Sequence, residues 1–269
     1  MFNIYFHKYL KVAPFALALW RAFEAQHIED GYRSVSNVSQ LKFKRPMLDL
    51  GCGFGEFAGV FFDRQVEVGI DINFDDLVRA KKINKYKELF MADARKMPFP
   101  DEKFATVISV SVLEHIPHPE KAIAEVFRVL KPGGIFIYTV PTIEINKDLF
   151  YPEIFRTMGL NGLRSFYLNT FHKVFKHVNL FSVKKWQIIT REAGFKIIYL
   201  HGTFTRNMML VFDLALIAAL PSQICRWLLN TRWVWGLSWK KKILDLIFNR
   251  LGRDKRITGS NILVIAKKK

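Results

Sequence analysis

The short apolar stretch Met47-Leu48-Asp49-Leu50 runs directly into Gly51-Cys52-Gly53-Phe54-Gly55, and Glu56–Phe62 then has helical spacing. Glycine enters left-handed backbone without a Cβ clash. A glycine turn between a strand and a helix therefore lets a ligand approach both the main chain and the free N–H groups of the helix start. Alone, such a turn is equally compatible with a tight structural corner. Asp71 narrows the choice. It closes the next apolar run, Val66–Ile70, where an acidic side chain can accept both hydroxyls of an adenosine ribose, or simply cap the following helix.

The pattern then alternates. Val66–Ile70 reads as a strand, Asp75 to about Asn84 as a helix, and Glu88–Met91 and Ala105–Val110 as strands. Pro119–Leu130 is amphipathic through Ala122, Ile123, Val126, Phe127 and Leu130, and Pro132-Gly133-Gly134 is expected to end that helix and launch the strand Ile135–Val140. Ser182 is placed to cap a helix over Val183–Ala193 with Gly194 as its stop, and Phe195–Leu200 and Asn261–Ala266 read as the last strands. This cadence predicts an α/β fold with a parallel sheet covered on both faces. About sixty residues separate the last two strands and about forty follow Val140, so both connections are expected to be folded insertions.

Charge divides unevenly. The chain carries 41 Lys and Arg against 24 Asp and Glu, a net +17, which suggests an anionic partner. Residues 1–45 hold 7 basic and 3 acidic side chains, 46–220 hold 22 and 19, and 221–269 hold 12 and 2. The excess thus lies in an end segment rich in Trp and Leu, not around the glycine turn, which favours a membrane surface over nucleic acid. Half the residues are hydrophobic, which excludes a disordered chain. Cys52 and Cys225 make neither a disulfide framework nor a zinc site, pointing to a reducing, cytoplasmic setting. The stretch Val12–Trp20 is a poor secretory signal, and no uncharged apolar run reaches the roughly 20 residues of a membrane-spanning helix.

In order, the chain shows Asp49-Leu50-Gly51-Cys52-Gly53-Phe54-Gly55, Gly69-Ile70-Asp71, Ala92-Asp93-Ala94 with Met97-Pro98-Phe99, Val112-Leu113-Glu114-His115-Ile116 and Arg128-Val129-Leu130-Lys131-Pro132-Gly133-Gly134. This series resembles the class I S-adenosylmethionine-dependent methyltransferases, in the branch of the ubiquinone and menaquinone biosynthesis enzymes. The resemblance covers residues 46–140 and, loosely, 182–200. It implies a Rossmann-like, doubly wound, mostly parallel seven-stranded sheet with helical insertions after the fifth and sixth strands. It also implies S-adenosyl-L-methionine as cofactor. Gly51, Cys52, Gly53 and Gly55 would pass under its methionine end, Asp49 would orient that turn, and Asp71 with Ile72 would hold the ribose side. Asp93, with Ala94 beside it, would bond the adenine amino group, and Ser109 would lie at the lip of the fourth strand near the sulfonium. Ala105 stands where many relatives have Asp, a structural position.

His115 follows the strand edge facing the methyl and is the candidate base or acceptor-positioning group; packing or capping is the equal alternative. His115 and His118 lack companions for a metal site, and none is expected. The expected organisation is an N-terminal helical segment over 1–45, a methyltransferase domain over 46–206 and 257–269 with a lid insertion at 142–181, and an amphipathic membrane-facing insertion at 207–256. In the lid, Leu163, Phe166, Tyr167, Thr170, Phe171, Val174, Phe175 and Val178 form one helical face, either core or lid over an apolar acceptor, and His172 and His177 accompany them. In the second insertion, Trp227, Trp233, Trp235 and Trp239 precede Lys240-Lys241-Lys242 and the stripe Ile243, Leu244, Ile247, Phe248 and Leu251. That is the make-up of an interfacial helix, or of a second apolar layer or dimer contact. The expected activity is methyl transfer to a lipid-like or amphiphilic acceptor, with the protein peripheral on the inner membrane face. The alternatives are a soluble small-molecule methyltransferase whose insertions form a lid and dimer contact, and a cofactor-binding scaffold without turnover. No Asn/Asp-Pro-Pro-aromatic motif supports nucleic-acid methylation.

Overall fold

The computed structural model describes residues 2–36, 41–216 and 257–269. Seven strands, β1 Met47–Leu50, β2 Val66–Asp71, β3 Tyr86–Met91, β4 Phe104–Val110, β5 Leu130–Pro141, β6 Phe195–Thr205 and β7 Ile257–Lys268, form one sheet in the order β3-β2-β1-β4-β5-β7-β6. The pairings of β1 with β2 and β4, of β2 with β3 and of β4 with β5 are parallel. Strand order reverses between β1 and β4, and open α/β sheets hold ligands outside the carboxyl end of the strands at such a reversal. The glycine turn stands there.

Local chemistry explains the helices that flank it. Helix α3, Glu56–Phe61, follows the turn directly and buries Ala58, Val60 and Phe61. Helix α4, Phe74–Ile83, is capped by Asn73, whose side chain accepts from the N–H groups of Asp75 and Asp76; Lys81 and Lys82 complement its far end, and Asn84 leaves it in left-handed backbone. Helix α5, Pro119–Val129, starts with Pro and buries Ala122, Ile123, Val126 and Val129. Helix α9, Val183–Glu192, is capped by the Ser182 hydroxyl and ends before Gly194 at φ 99°. The core between these helices and the sheet holds Leu48, Leu50, Val107, Phe136, Tyr138 and Trp186, all buried.

Several boundaries differ from the sequence reading. Helix α5 ends at Val129, before Pro132-Gly133-Gly134, and β5 begins at once. Phe104 faces Leu130 and Thr106 faces Ile135, so six residues of β5 lie opposite three of β4. A proline lacking its N–H and Gly133 at φ 72° cannot keep the ladder, so the segment leaves it and rejoins at Ile135. Strand β3 starts at Tyr86 instead of Glu88, and β6 and β7 extend beyond the ranges read from sequence.

The chain divides into two compact units. One comprises His27–Thr142, His177–His201 and Ile262–Lys269; the other comprises Met1–Gln26, Ile143–Lys176 and the described part of Gly202–Asn261. The second unit carries the N-terminal helix α1, Phe2–Tyr9, and the first half of α2, Phe15–Ser36, with the insertion helices α6 Ile145–Asp148, α7 Phe150–Thr157 and α8 Asn161–Val174; residues 206–216 are helical as well. The apolar face expected over Leu163–Val178 is not one buried surface. Helix α8 stops at Val174, Lys176 turns left-handed, and of that set Phe171 is buried whereas Leu163, Phe166, Val174 and Val178 are exposed. The Trp- and Lys-rich residues expected to face a membrane, Trp227–Leu251, lie outside the described residues. Among the described residues no helix is long and apolar enough to cross a membrane.

Candidate active site

Gly51, Gly53 and Gly55 have φ of 74°, 50° and 80°. The N–H groups of Gly51 and Cys52 both donate to the Ile70 carbonyl at 2.9 Å, which fastens the turn to β2. A Cβ on Gly51 would lie 2.3 Å from Val112 Cγ1, and one on Gly55 3.3 Å from Ala80 Cα and the Tyr86 ring; one on Gly53 would meet nothing within 4 Å. Gly51 and Gly55 thus serve packing, and Gly53 faces open space. Beside it, Asp71 accepts from Gly53 N–H at 2.8 Å through Oδ2 and from Asn73 N–H at 2.9 Å through Oδ1. Two bonds leave about half of a carboxylate's acceptor capacity free.

Beneath the turn, Tyr86 donates its hydroxyl to Asp49 Oδ2 at 2.7 Å, and both are buried. The Tyr86 ring packs where side chains on Gly69 and Gly55 would stand. Burial, and then the Asp49 charge, push the Tyr86 hydroxyl well above the usual tyrosine range. Burial acts likewise on Cys52, reinforced by Asp49 and Asp71, and pushes its thiol above the usual cysteine range.

Beyond Asp71, Ile72, Phe74 and Met91 are exposed, an apolar shelf at the ends of β2 and β3. Asp93 follows. The Arg95 guanidinium binds both of its oxygens, at 3.0 and 3.1 Å from Nε and 2.7 Å from Nη2, and Arg95 N–H donates to Oδ1 at 2.8 Å. These bonds hold the Asp93 carboxyl below the usual carboxylate range. Arg95 also reaches the Pro117 carbonyl at 3.4 Å. Ala94 is buried against the core.

Ser109 is the next-to-last residue of β4, fully buried, with Tyr138 as its β5 neighbour; its hydroxyl has no partner among the described residues. His115 ends a 3₁₀ turn, Leu113–His115, that follows β4. Its ring is 41% exposed and stacks on His177 with centroids 6.1 Å apart. Glu114 is buried, and its carbonyl accepts from the N–H groups of Val178 and Asn179 at 2.9 and 2.8 Å. The Asn179 side chain donates to Ile116 O at 2.5 Å, so residues 177–179 brace the histidine turn. His118 is exposed beside Glu120. Among the described residues no group of three or more His, Cys, Asp or Glu side chains is arranged for a metal.

The insertion unit has its own polar cluster. Buried Asp213 accepts from the Tyr167 hydroxyl and from Tyr151 N–H at 3.0 Å. Burial pushes Asp213 above the usual carboxylate range, and burial followed by Asp213 raises Tyr167. His172 Nε2 stands 2.7 Å from Asn146 Oδ1, and burial lowers its pKa.

The family described as "Methyltransferase domain" matches residues 48–138. A phosphatidylethanolamine N-methyltransferase of Cereibacter sphaeroides is 34% identical over 33% of this chain and 46% of its own. A fatty-acid O-methyltransferase of Mycolicibacterium smegmatis is 33% identical over 40% of this chain and 41% of its own. The chain thus spans less than half the length of these relatives. It spans more of the uncharacterized protein MJ1123 of Methanocaldococcus jannaschii, 30% identical over 60% of this chain and 71% of that one. The phosphoethanolamine N-methyltransferase 2 of Haemonchus contortus, solved with S-adenosyl-L-methionine, shares the fold: TM-score 0.54, 16% identity, 98% of this chain and 60% of that one.

The chain belongs to the class I S-adenosylmethionine-dependent methyltransferases. The donor set of this chain fits that cofactor: open space over Gly53, a carboxylate with spare acceptors at Asp71, an apolar shelf, and Asp93 held below the usual carboxylate range. The sequence reading missed Tyr86, Arg95 and Asn179, and placed His177 with the lid instead of beside His115. Tyr86 supports the turn, Arg95 orients Asp93, and Asn179 with His177 braces His115. Tyr86 left a signal as an aromatic just before a strand, and Arg95 as a basic residue two positions after Asp93; the contact of Asn179 with Ile116 joins residues distant in sequence.

Proposed function

We propose that the chain transfers a methyl group from S-adenosylmethionine to a lipid-like or amphiphilic acceptor at a membrane surface. The observation that carries the cofactor half is the open Gly53 backbone beside the Asp71 carboxylate. The acceptor half is supported by relatives named for phosphatidylethanolamine and for fatty acids, and by the basic charge of residues 221–269.

In this reading Asp71 receives the ribose hydroxyls, the shelf of Ile72, Phe74 and Met91 takes the adenine face, and Asp93 accepts from the adenine amino group while Arg95 holds it ionised. The cofactor supplies a methyl on a sulfonium, a good enough leaving group that the protein's main task is to align the acceptor. His115 takes the proton from the acceptor as its new bond to the methyl carbon forms and the carbon–sulfur bond breaks. Stacking on His177 holds its ring. Removing a general base typically lowers kcat by about 10²–10⁴.

The test incubates the protein with S-adenosylmethionine labelled in the methyl group and a total lipid extract, then separates the products. Label is expected in a lipid band, lost in His115→Ala with cofactor affinity retained. Label confined to a water-soluble compound refutes the lipid acceptor, and near wild-type turnover by His115→Ala reduces the residue to packing.

A further inference from the structure

We propose that Arg156, Arg164 and Arg206 form a binding site for a phosphate group in the insertion unit. The three come from different elements: Arg156 from α7, Arg164 from α8, and Arg206 from the start of the helix over 206–216. Glu153 stands among them. Arg156 meets it through two parallel hydrogen bonds, Nε to Oε2 at 2.9 Å and Nη2 to Oε1 at 2.7 Å, so that pair is closed. Arg206 stands off, with Nη2 3.9 Å from Glu153 Oε1, beyond hydrogen-bond distance, and its side chain 51% exposed. Arg164 Nε is buried and has no hydrogen-bond partner among the described residues. Hydrogen bonds from Arg156, opposed by burial and joined by the charges of Arg156, Arg206 and Arg164, hold the Glu153 carboxyl below the usual carboxylate range. All three guanidinium groups thus act on one carboxylate.

Charge and donor geometry select the ligand. Among the described residues Glu153 is the one carboxylate paired with these arginines, and three guanidinium groups against one carboxylate leave two positive charges. Asp213, the other acid on these helices, does not answer them. It accepts from the Tyr167 hydroxyl and Tyr151 N–H, and burial pushes it above the usual carboxylate range. An ion-pair network built for stability alone spends its donors within the protein, because a desolvated donor without an acceptor is unfavourable. Here Arg206 is held away from Glu153 and Arg164 Nε is unmatched. A guanidinium offers a planar fork to a tetrahedral oxyanion, and a phosphate monoester brings about 1.5–2 negative charges near neutral pH, whereas a carboxylate brings one. A terminal phosphate therefore matches the excess. The site goes beyond the acceptor reading, and its occupancy is measured without turnover.

The full chain is titrated in a calorimeter with inorganic phosphate and with glycerol 3-phosphate, and is floated with phosphatidylcholine vesicles that contain or lack phosphatidic acid. Saturable binding of one phosphate per chain is expected. Arg206→Gln changes an exposed side chain and is expected to weaken that binding at least tenfold while affinity for S-adenosylmethionine stays at the wild-type value. Glu153→Gln has the opposite sign: it breaks the pair with Arg156 but removes the competing carboxylate, and should tighten phosphate binding at least threefold. An ion pair with a structural role alone would give no such gain. Binding of glycerol 3-phosphate that Arg206→Gln weakens supports the site with a soluble source. Flotation that requires phosphatidic acid and is lost in Arg206→Gln supports it with a lipid headgroup as the source. Absence of binding to every probe, binding that Arg206→Gln leaves at the wild-type level, or no gain in Glu153→Gln overturns the proposal. None of these results bears on the acceptor, which stands or falls with label in the lipid extract.

Discussion

At the end of β1 almost every backbone direction is set by a neighbour: Ile70 O holds two N–H groups, Val112 closes on Gly51, and Tyr86 fills the space under Gly55 while bonding Asp49. Helix α8 is held by Phe171, Tyr167 and His172, and leaves the large apolar side chains of Leu163, Phe166 and Val174 in solvent. Both stretches are strongly patterned in sequence. The difference teaches that pattern and constraint are separate properties. The turn is fixed by neighbours from several elements, whereas α8 keeps one stripe of apolar side chains in solvent.

The comparison breaks first at glycine. Gly51→Ala combines left-handed backbone with a Cβ 2.3 Å from Val112, and is expected to cost about 3 kcal/mol or more and to abolish cofactor binding, read by chemical denaturation and calorimetry. Gly53→Ala meets no protein atom, so it should lose only about 1 kcal/mol of stability while losing cofactor affinity. Equal destabilisation by the two would mean that Gly53 serves packing and faces no ligand. Asp71→Ala comes next. Loss of hydrogen bonds to an ionised group costs on the order of 1.5–3 kcal/mol, roughly tenfold to a hundredfold in cofactor Kd. An unchanged Kd in a folded protein would remove Asp71 from the site.

Tyr86→Phe keeps the ring under Gly55 but deprives buried Asp49 of a donor, with an expected loss of about 1–3 kcal/mol in stability. A neutral result would assign the support to the ring alone. The smallest effect belongs to α8: a methyl on Gly162 meets nothing, so Gly162→Ala should stabilise by up to about 1 kcal/mol in urea denaturation. A loss there would show that the exposed side of α8 is more constrained than its surroundings indicate.

Much of the sheet is legible in sequence because buried parallel strands read as largely apolar runs, and Met47–Leu50 and Val66–Asp71 stand out on that ground despite Asp49 and Glu67. Caps are legible too, at Asn73 and Ser182, since their chemistry is local. Pro132-Gly133-Gly134 misleads because the same residues that stop a helix also permit a strand to leave its ladder, and only the pairing of Thr106 with Ile135 distinguishes the two. Periodicity in Leu163–Val174 identifies a helix but not which side meets the core, because a stripe facing a core and a stripe facing a membrane obey the same spacing.

The sequence by itself determines the α/β alternation, the glycine turn and the acidic residues after β2 and β3, because each follows from residue types a few positions apart. Tertiary structure alone decides which glycine faces open space, that Asn179 braces the turn of His115, that Tyr86 carries Asp49, that Ser109 is buried and that Phe166 is not. Those outcomes depend on how strands and helices distant in sequence meet, and local propensity carries no record of such meetings.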